Sequence, residues 1–515
     1  MKKRFLLLVL IVSITWVANL GAARAQKTEV PKQGGVMKVI IDAAPPTLDS
    51  HLSTTTLVYQ VGWHIFEGLF TLGEKSEVIP MLAKDYNVSK DGLTYTIHLR
   101  EGISFHNGKE MTADDVAASL KRWGQYSGSG KSIFKNVTAV TAEGKFTVKV
   151  TLSEPANLLP VHLAMPQGGA VIYPKEIVEK AGAEPIKEYI GTGPFKFVEW
   201  ASNQYIRLQR YDGYKAVGGN PNGYGGKKVA YLNELYFYTI ADAAVRVAGV
   251  ESGEYHFSDF VPVDEYSRIK SVKGVRAISS APRGWFAIVF NKKEGLMTNK
   301  KIRQAALAAL EMDSIMTAGY GQKDFWRLDP SIMFKEQIWW TDAGSKSYNQ
   351  NNIAKAKKLL GEAGYKGSSL RWLTGPLEYN FSLVAKGQLE KAGFKVDLQS
   401  VEWATLNERR GKAELWDAFS TGMTARPDPT QMVILSPSYA GWWENKELND
   451  LMTRINTETD FKKRFDVWKK VQTLFYEEVP TIKIGDYSNL RIYSDKVQGF
   501  ANKMDIFFWN VWLKE

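Results

Sequence analysis

The stretch Pro80-Met-Leu-Ala-Lys-Asp-Tyr-Asn-Val-Ser-Lys-Asp-Gly-Leu-Thr-Tyr-Thr-Ile-His-Leu-Arg-Glu-Gly-Ile-Ser-Phe-His-Asn-Gly-Lys-Glu-Met-Thr-Ala-Asp-Asp-Val116 reads as strand, turn, strand and capped helix. Asp91-Gly92 and Asn107-Gly108 are turn dipeptides, because glycine takes a positive φ without a Cβ clash. Between them Leu93, Tyr95, Ile97 and Leu99 alternate with polar residues, the period of a half-buried strand. Thr112 can cap a helix that carries Asp114 and Asp115 at the positive end of its dipole. Val116, Leu120 and Trp123 give that helix one apolar face, and Gly124 is its expected stop.

On the N-terminal side, Gly34-Gly35 precedes the apolar strand Val36-Met-Lys-Val-Ile-Ile-Asp42 and the loop Pro46-Thr-Leu-Asp-Ser-His51. Residues 58–70 read as one helix ending in Glu67-Gly-Leu-Phe70. On the C-terminal side come an alternating strand at 146–152, the turn Gly191-Thr-Gly-Pro-Phe-Lys-Phe197, a strand at 235–242 and a helix at 243–252. The breaker cluster Ala281-Pro-Arg-Gly284 then gives way to a fully apolar strand, residues 285–291, where the chain is expected to cross into a second lobe. Helices at 302–312, 353–363 and 381–392, with a strand at 394–398, give the alternation of an α/β lobe. A long helix carries Phe461, Phe465, Trp468, Val471 and Phe475 on one face, with Thr459 as its expected cap and Pro480 at its end. A strand follows at 481–484, and the run Phe507-Phe-Trp-Asn-Val-Trp512 is expected to return to the first lobe.

In their order these elements resemble the family 5 solute-binding proteins, the extracytoplasmic receptors of ATP-driven importers for peptides, nickel chelates and related solutes. The resemblance implies a two-lobed periplasmic-binding-protein fold of α/β class, hinged, of the larger peptide-binding type. Lobe I would comprise 26–283 plus 487–515, with an extra subdomain at about 75–190, and lobe II would comprise 284–486. Solute would lie in the cleft between them.

The chain of 515 residues is long enough for two or three domains. Met1-Lys-Lys-Arg4, the apolar run 5–20 and Ala23-Arg-Ala25 form a basic, apolar and small-x-small leader, read as a signal peptide cleaved after Ala25. Loss of its four basic residues takes the formal net charge from +11 to +7. The chain has no cysteine, which excludes a lipid anchor by way of a lipobox, disulfides and thiolate metal sites. The expected address is the periplasm. No basic cluster is dense enough for nucleic acid.

The six histidines show no paired metal spacing, and no nucleophile elbow occurs. Ser129-Gly-Lys-Ser132 fails as a phosphate loop, since Gln125 stands where glycine is required. No cofactor and no catalytic residue is expected. The informative turn is Thr421-Gly-Met-Thr-Ala-Arg-Pro-Asp-Pro-Thr430, stiffened by its prolines. In peptide-binding relatives the resemblance implies an acid at the position of Ala425, pairing with the peptide's ammonium. Here Arg426 lies beside the missing anchor, either receiving a solute carboxylate in a bidentate fork or bridging to Asp428. Asp428 is also a ligand candidate, as a carboxylate that could replace the missing anchor, and Thr55, Trp63, His64, Trp285, Tyr379, Trp403 and Trp443 are the further ones, chosen as loop residues and as aromatic walls.

The expected function is a monomeric receptor delivering a peptide or peptide-like solute, carboxylated solutes among them, to an inner-membrane ABC permease. Opine-like conjugates and metal chelates are alternative cargoes. A secreted hydrolase and a periplasmic chaperone are the rivals of other classes.

Overall fold

A computed structural model describes residues 30–155 and 158–515; the leader and its cleavage site lie outside them. Val36–Ile41 forms the middle of a seven-stranded sheet, ordered Val275–Ser279, Leu490–Ser494, Phe257–Val261, Val36–Ile41, Glu234–Thr239, Tyr205–Arg210, Phe195–Ala201. It runs parallel to both neighbours. Met37, Val39 and Ile41 enter one core while Ile40 enters another, which is why this strand reads as a continuous apolar run.

A six-stranded sheet is ordered Trp326–Arg327, Thr481–Tyr487, Gly284–Phe290, Ala418–Thr424, Ser369–Thr374, Lys395–Ser400. All seven residues of Gly284–Phe290 are buried. Ile302, Ile315, Phe381 and Val471, each from a different helix, close the core around it. The opening stretch belongs to a third, antiparallel sheet ordered Ala83–Val88, Thr94–Leu99, Thr147–Leu152, Val137–Ala142. The helix Ala113–Tyr126 lays Val116, Leu120 and Trp123 into its core.

The chain leaves the first sheet after Ser279, enters the second at Gly284, and returns between Tyr487 and Leu490. The two crossings are bonded to each other. Ser280 N donates to Asn489 O (2.8 Å), Asn489 N to Ser280 Oγ (2.9 Å), and Arg283 N to Tyr487 O (2.9 Å). The result is a two-lobed α/β fold joined by a narrow paired hinge, with the small antiparallel sheet attached to the first lobe. Ile506, Phe508 and Val511 of the C-terminal run pack into the first lobe's core.

The short motifs have structural reasons. Asp49 accepts from Arg122 Nη1 (3.1 Å) and Nη2 (2.8 Å) and from Ile186 N (3.0 Å), tying the first loop to the helix of the opening stretch. His106 Nε2 meets Gly193 O at 2.9 Å, and His106 N donates to Gly191 O. Any Cβ on Gly193 would come within 2.4 Å of His64 O, so only glycine fits that turn.

Several expected boundaries are corrected. The helix read at 58–70 is Thr56–Gly62; beyond it the chain turns inward and Phe70–Leu72 is a strand. Gly124 does not stop its helix, which continues to Tyr126. A Cβ there would lie 1.9 Å from the Phe134 ring, so the glycine admits the helix Gly128–Phe134 instead. Residues 302–312 divide into Lys300–Ala309 and Met312–Tyr320, because Glu311 caps the second helix through the N–H groups of Asp313 and Ser314. Asp460, and not Thr459, caps Phe461–Glu478 by accepting from Lys463 N (2.9 Å).

Candidate functional site

Two cavities of about 640 and 840 Å³ lie between the lobes, and a side chamber of about 420 Å³ opens in the second lobe. Arg426 borders all three. Its position follows from local sequence. The strand Ala418–Thr424 ends where Pro427 and Pro429 remove ladder donors. Ala425 N then donates to Arg283 O (3.1 Å), and Gln337 Nε2 donates to Arg426 O (2.6 Å), fixing the turn to the hinge and to its own lobe.

Asp428 is not the partner of Arg426. It is buried, accepts from Thr430 N (3.0 Å) and Thr430 Oγ1 (2.6 Å), and pairs with Arg464 Nη2 at 2.9 Å. The expected alternative bridge from Arg426 to Asp428 is therefore corrected: the acid is committed to another cation. Among the described residues the Arg426 side chain has no acidic partner. Burial lowers its affinity for the proton from the ordinary arginine value, with Tyr59 acting in the opposite direction. The guanidinium stays cationic. The larger cavity is lined by Arg283, Arg426 and hydroxyls such as Thr54, Ser129 and Thr430 and, among the described residues, by no acid.

The side chamber is lined by Trp403, Tyr439, Met432, Arg410 and the loop 375–378. Arg410 stands 5.7 Å from the Trp403 ring and 5.8 Å from that of Tyr439. Glu378, at the end of that loop, is buried, and burial raises its carboxyl above the usual range.

The other expected residues divide. Ala425 lines both inter-lobe cavities, and Trp403 lines the side chamber. Thr55 is exposed at the start of its helix, and Thr54 and Thr56 on either side line the larger cavity. Tyr379 opens the helix Tyr379–Lys391; its predecessors 375–378 face the chamber. Trp63 packs between Tyr59 and Tyr224, at 5.2 and 4.6 Å, behind the walls that those tyrosines form.

Three expectations fail for one reason, burial in a core. Trp285 lies in the central strand, covered on both faces, with no exposed surface. Trp443 sits edge-on against Phe475. His64 is fully buried among Phe195, Phe237 and Phe508. Its Nε2 accepts from Phe508 N (2.9 Å), and its Nδ1 lies 3.3 Å from Val61 O. Desolvation holds it neutral, down to about 3. Arg283, Glu378, Arg410 and Tyr439 line these cavities without any motif that marks them in the sequence. The nearest signal was Glu378 beside Tyr379 in the Gly375-Pro376 loop.

Among the described residues no group of three or more His, Asp or Glu is arranged to hold a metal, and no helix is long and apolar enough to cross a membrane.

The profile of the bacterial extracellular solute-binding proteins, family 5 Middle, matches residues 77–445. The oligopeptide-binding protein AppA of Bacillus subtilis is 26% identical over 524 residues, covering 94% of this chain and 92% of that protein. The glutathione-binding protein GsiB of Escherichia coli is 26% identical over 482 residues, covering 88% and 89%. The structure of HbpA2 from Haemophilus parasuis superimposes with a TM-score of 0.81 at 23% identity, covering 93% of this chain and all of that one. A hinged pair of lobes around a guanidinium with no acidic partner among the described residues, with a family profile spanning both lobes, leads to one conclusion: the chain belongs to the family 5 extracellular solute-binding proteins, the receptors of ABC importers.

Proposed function

We propose that this chain is an exported periplasmic receptor that closes over a small peptide or peptide-like solute and delivers it to an inner-membrane ABC permease. The solute presents a carboxylate to Arg426. No bond is made or broken. One observation carries the reading: a half-buried guanidinium at the meeting of three cavities, whose neighbouring acid is already paired with Arg464. A planar fork in a partly desolvated setting complements a carboxylate. The acid-free lining of the larger cavity favours an anion further. The peptide and glutathione named for the relatives support a peptide-like cargo.

A thermal-shift screen tests this with di- and tripeptides and glutathione, each as the free acid and the C-terminal amide, together with opine-like acids and nickel chelates. A ligand at 100 times its Kd adds about 2.7 kcal/mol of stability, which such a screen resolves. Stabilisation by free acids and not by amides is expected. Equal stabilisation by both would remove the carboxylate from the account.

A further inference from the structure

We propose that Glu378 anchors an ammonium group of the solute in the side chamber beside Arg426, so that the receptor selects amine-bearing carboxylic acids; this rests on the receptor reading above. Ten acids are buried among the described residues: Asp49, Glu67, Asp115, Asp259, Asp329, Glu378, Asp417, Asp428, Asp486 and Asp505. Nine have a cation of the chain within 4.0 Å. Glu378 has none. A buried carboxylate without a counter-charge is costly, and proteins otherwise pair it.

Glu378 as a residue is only 7% exposed and borders a chamber of about 420 Å³, large enough for a side chain or an amino-acid head. The rings of Trp403 and Tyr439 in the same chamber already lie against Arg410, at 5.7 and 5.8 Å, so the carboxylate of Glu378 is the group left for an ammonium. Arg410 and Arg426 border it too, and neither comes within ion-pair distance of Glu378. The chamber therefore offers an acid and guanidinium groups that do not neutralise each other, the complement of a zwitterion. Burial raises the Glu378 carboxyl, and an arriving ammonium would restore its ionised form.

Calorimetric titration of the purified protein with dialanine, trialanine, glutathione and their N-acetylated forms tests the proposal. Free-amine forms are expected to bind at least about tenfold more tightly than acetylated ones, the loss of one charge-assisted contact. Glu378→Gln should abolish that preference without altering the affinity for acetylated forms, while Glu378→Asp, which keeps the charge, should retain it. Arg426→Met should weaken free-amine and acetylated forms alike. Three results would overturn the assignment: a Glu378→Gln protein that still prefers free amines, a wild type indifferent to acetylation, or no binding of any probe up to about 10 mM. An Arg426→Met protein with unchanged affinities would overturn the carboxylate reading instead, so the two failures are separable.

Discussion

The carboxylate of Asp428 lies 2.9 Å from the guanidinium of Arg464 and so leaves Arg426, two residues away, without an acid. The two charges in one turn have separate tasks, one structural and one facing the cleft. Asp428→Asn should therefore lower stability by about 3 kcal/mol, the cost of stranding a buried partner. Arg426→Met should leave the unliganded melting temperature nearly unchanged. Chemical denaturation of both variants checks this, and equal losses would contradict the division.

The pair Asp49–Arg122 makes a similar prediction for the joint between the first loop and the opening stretch. Burial acts to raise the Asp49 carboxyl, but the Arg122 hydrogen bond, the charge of His51 and the Ile186 N–H together hold it below its ordinary value. Its contribution is present above the unfolded pKa of about 3.9 and is lost as pH falls through the lower folded value. Arg122→Met should cost about 3 kcal/mol at neutral pH. Urea unfolding at pH 7 measures it.

The buried histidines govern stability at milder acidity. Desolvation holds His51, His106 and His162 down to about 4 and His64 to about 3. Their folded values lie below the unfolded one of about 6.5, so their stabilisation is complete above that pH and declines as pH falls from there toward 4. Each contributes a slope of about 1.4 kcal/mol per pH unit in that window. Denaturation midpoints between pH 7 and 4.5 should fall steeply, and His106→Gln should flatten the curve. A midpoint constant from pH 7 to 5 would contradict neutral burial.

Gly124 offers a test of packing against propensity. Replacing a mid-helix glycine by alanine ordinarily stabilises by up to about 1 kcal/mol. Here the new methyl would lie 1.9 Å from the Phe134 ring. Gly124→Ala is expected to destabilise by about 2 kcal/mol, and Phe134→Ala in the same chain should recover part of the loss. Thermal melts of the three variants decide the sign.

Periodicity made the fold legible. Alternation marks Thr94–Leu99, a continuous apolar run marks Gly284–Phe290, and breakers mark the crossing before Gly284. Boundaries failed where tertiary contacts outvote local signals, as with Gly124 against Phe134. The site was less legible. Tryptophan's size suits a core and a ligand wall equally, and nothing local separates Trp285, buried in a central strand, from Trp403, exposed in the chamber. The freedom of Arg426 depends on Arg464, and that of Glu378 on an absence of cations in space. Neither property can be read along the chain.

The most direct measurement is a double cycle by calorimetry: the tightest free-acid solute and its C-terminal amide, each titrated into wild type and Arg426→Met. The account predicts that amidation and the substitution each weaken binding about 10- to 100-fold, and that together they cost little more than either alone, because both remove one contact. Additive losses, or an Arg426→Met protein that binds the free acid like the wild type, would contradict it.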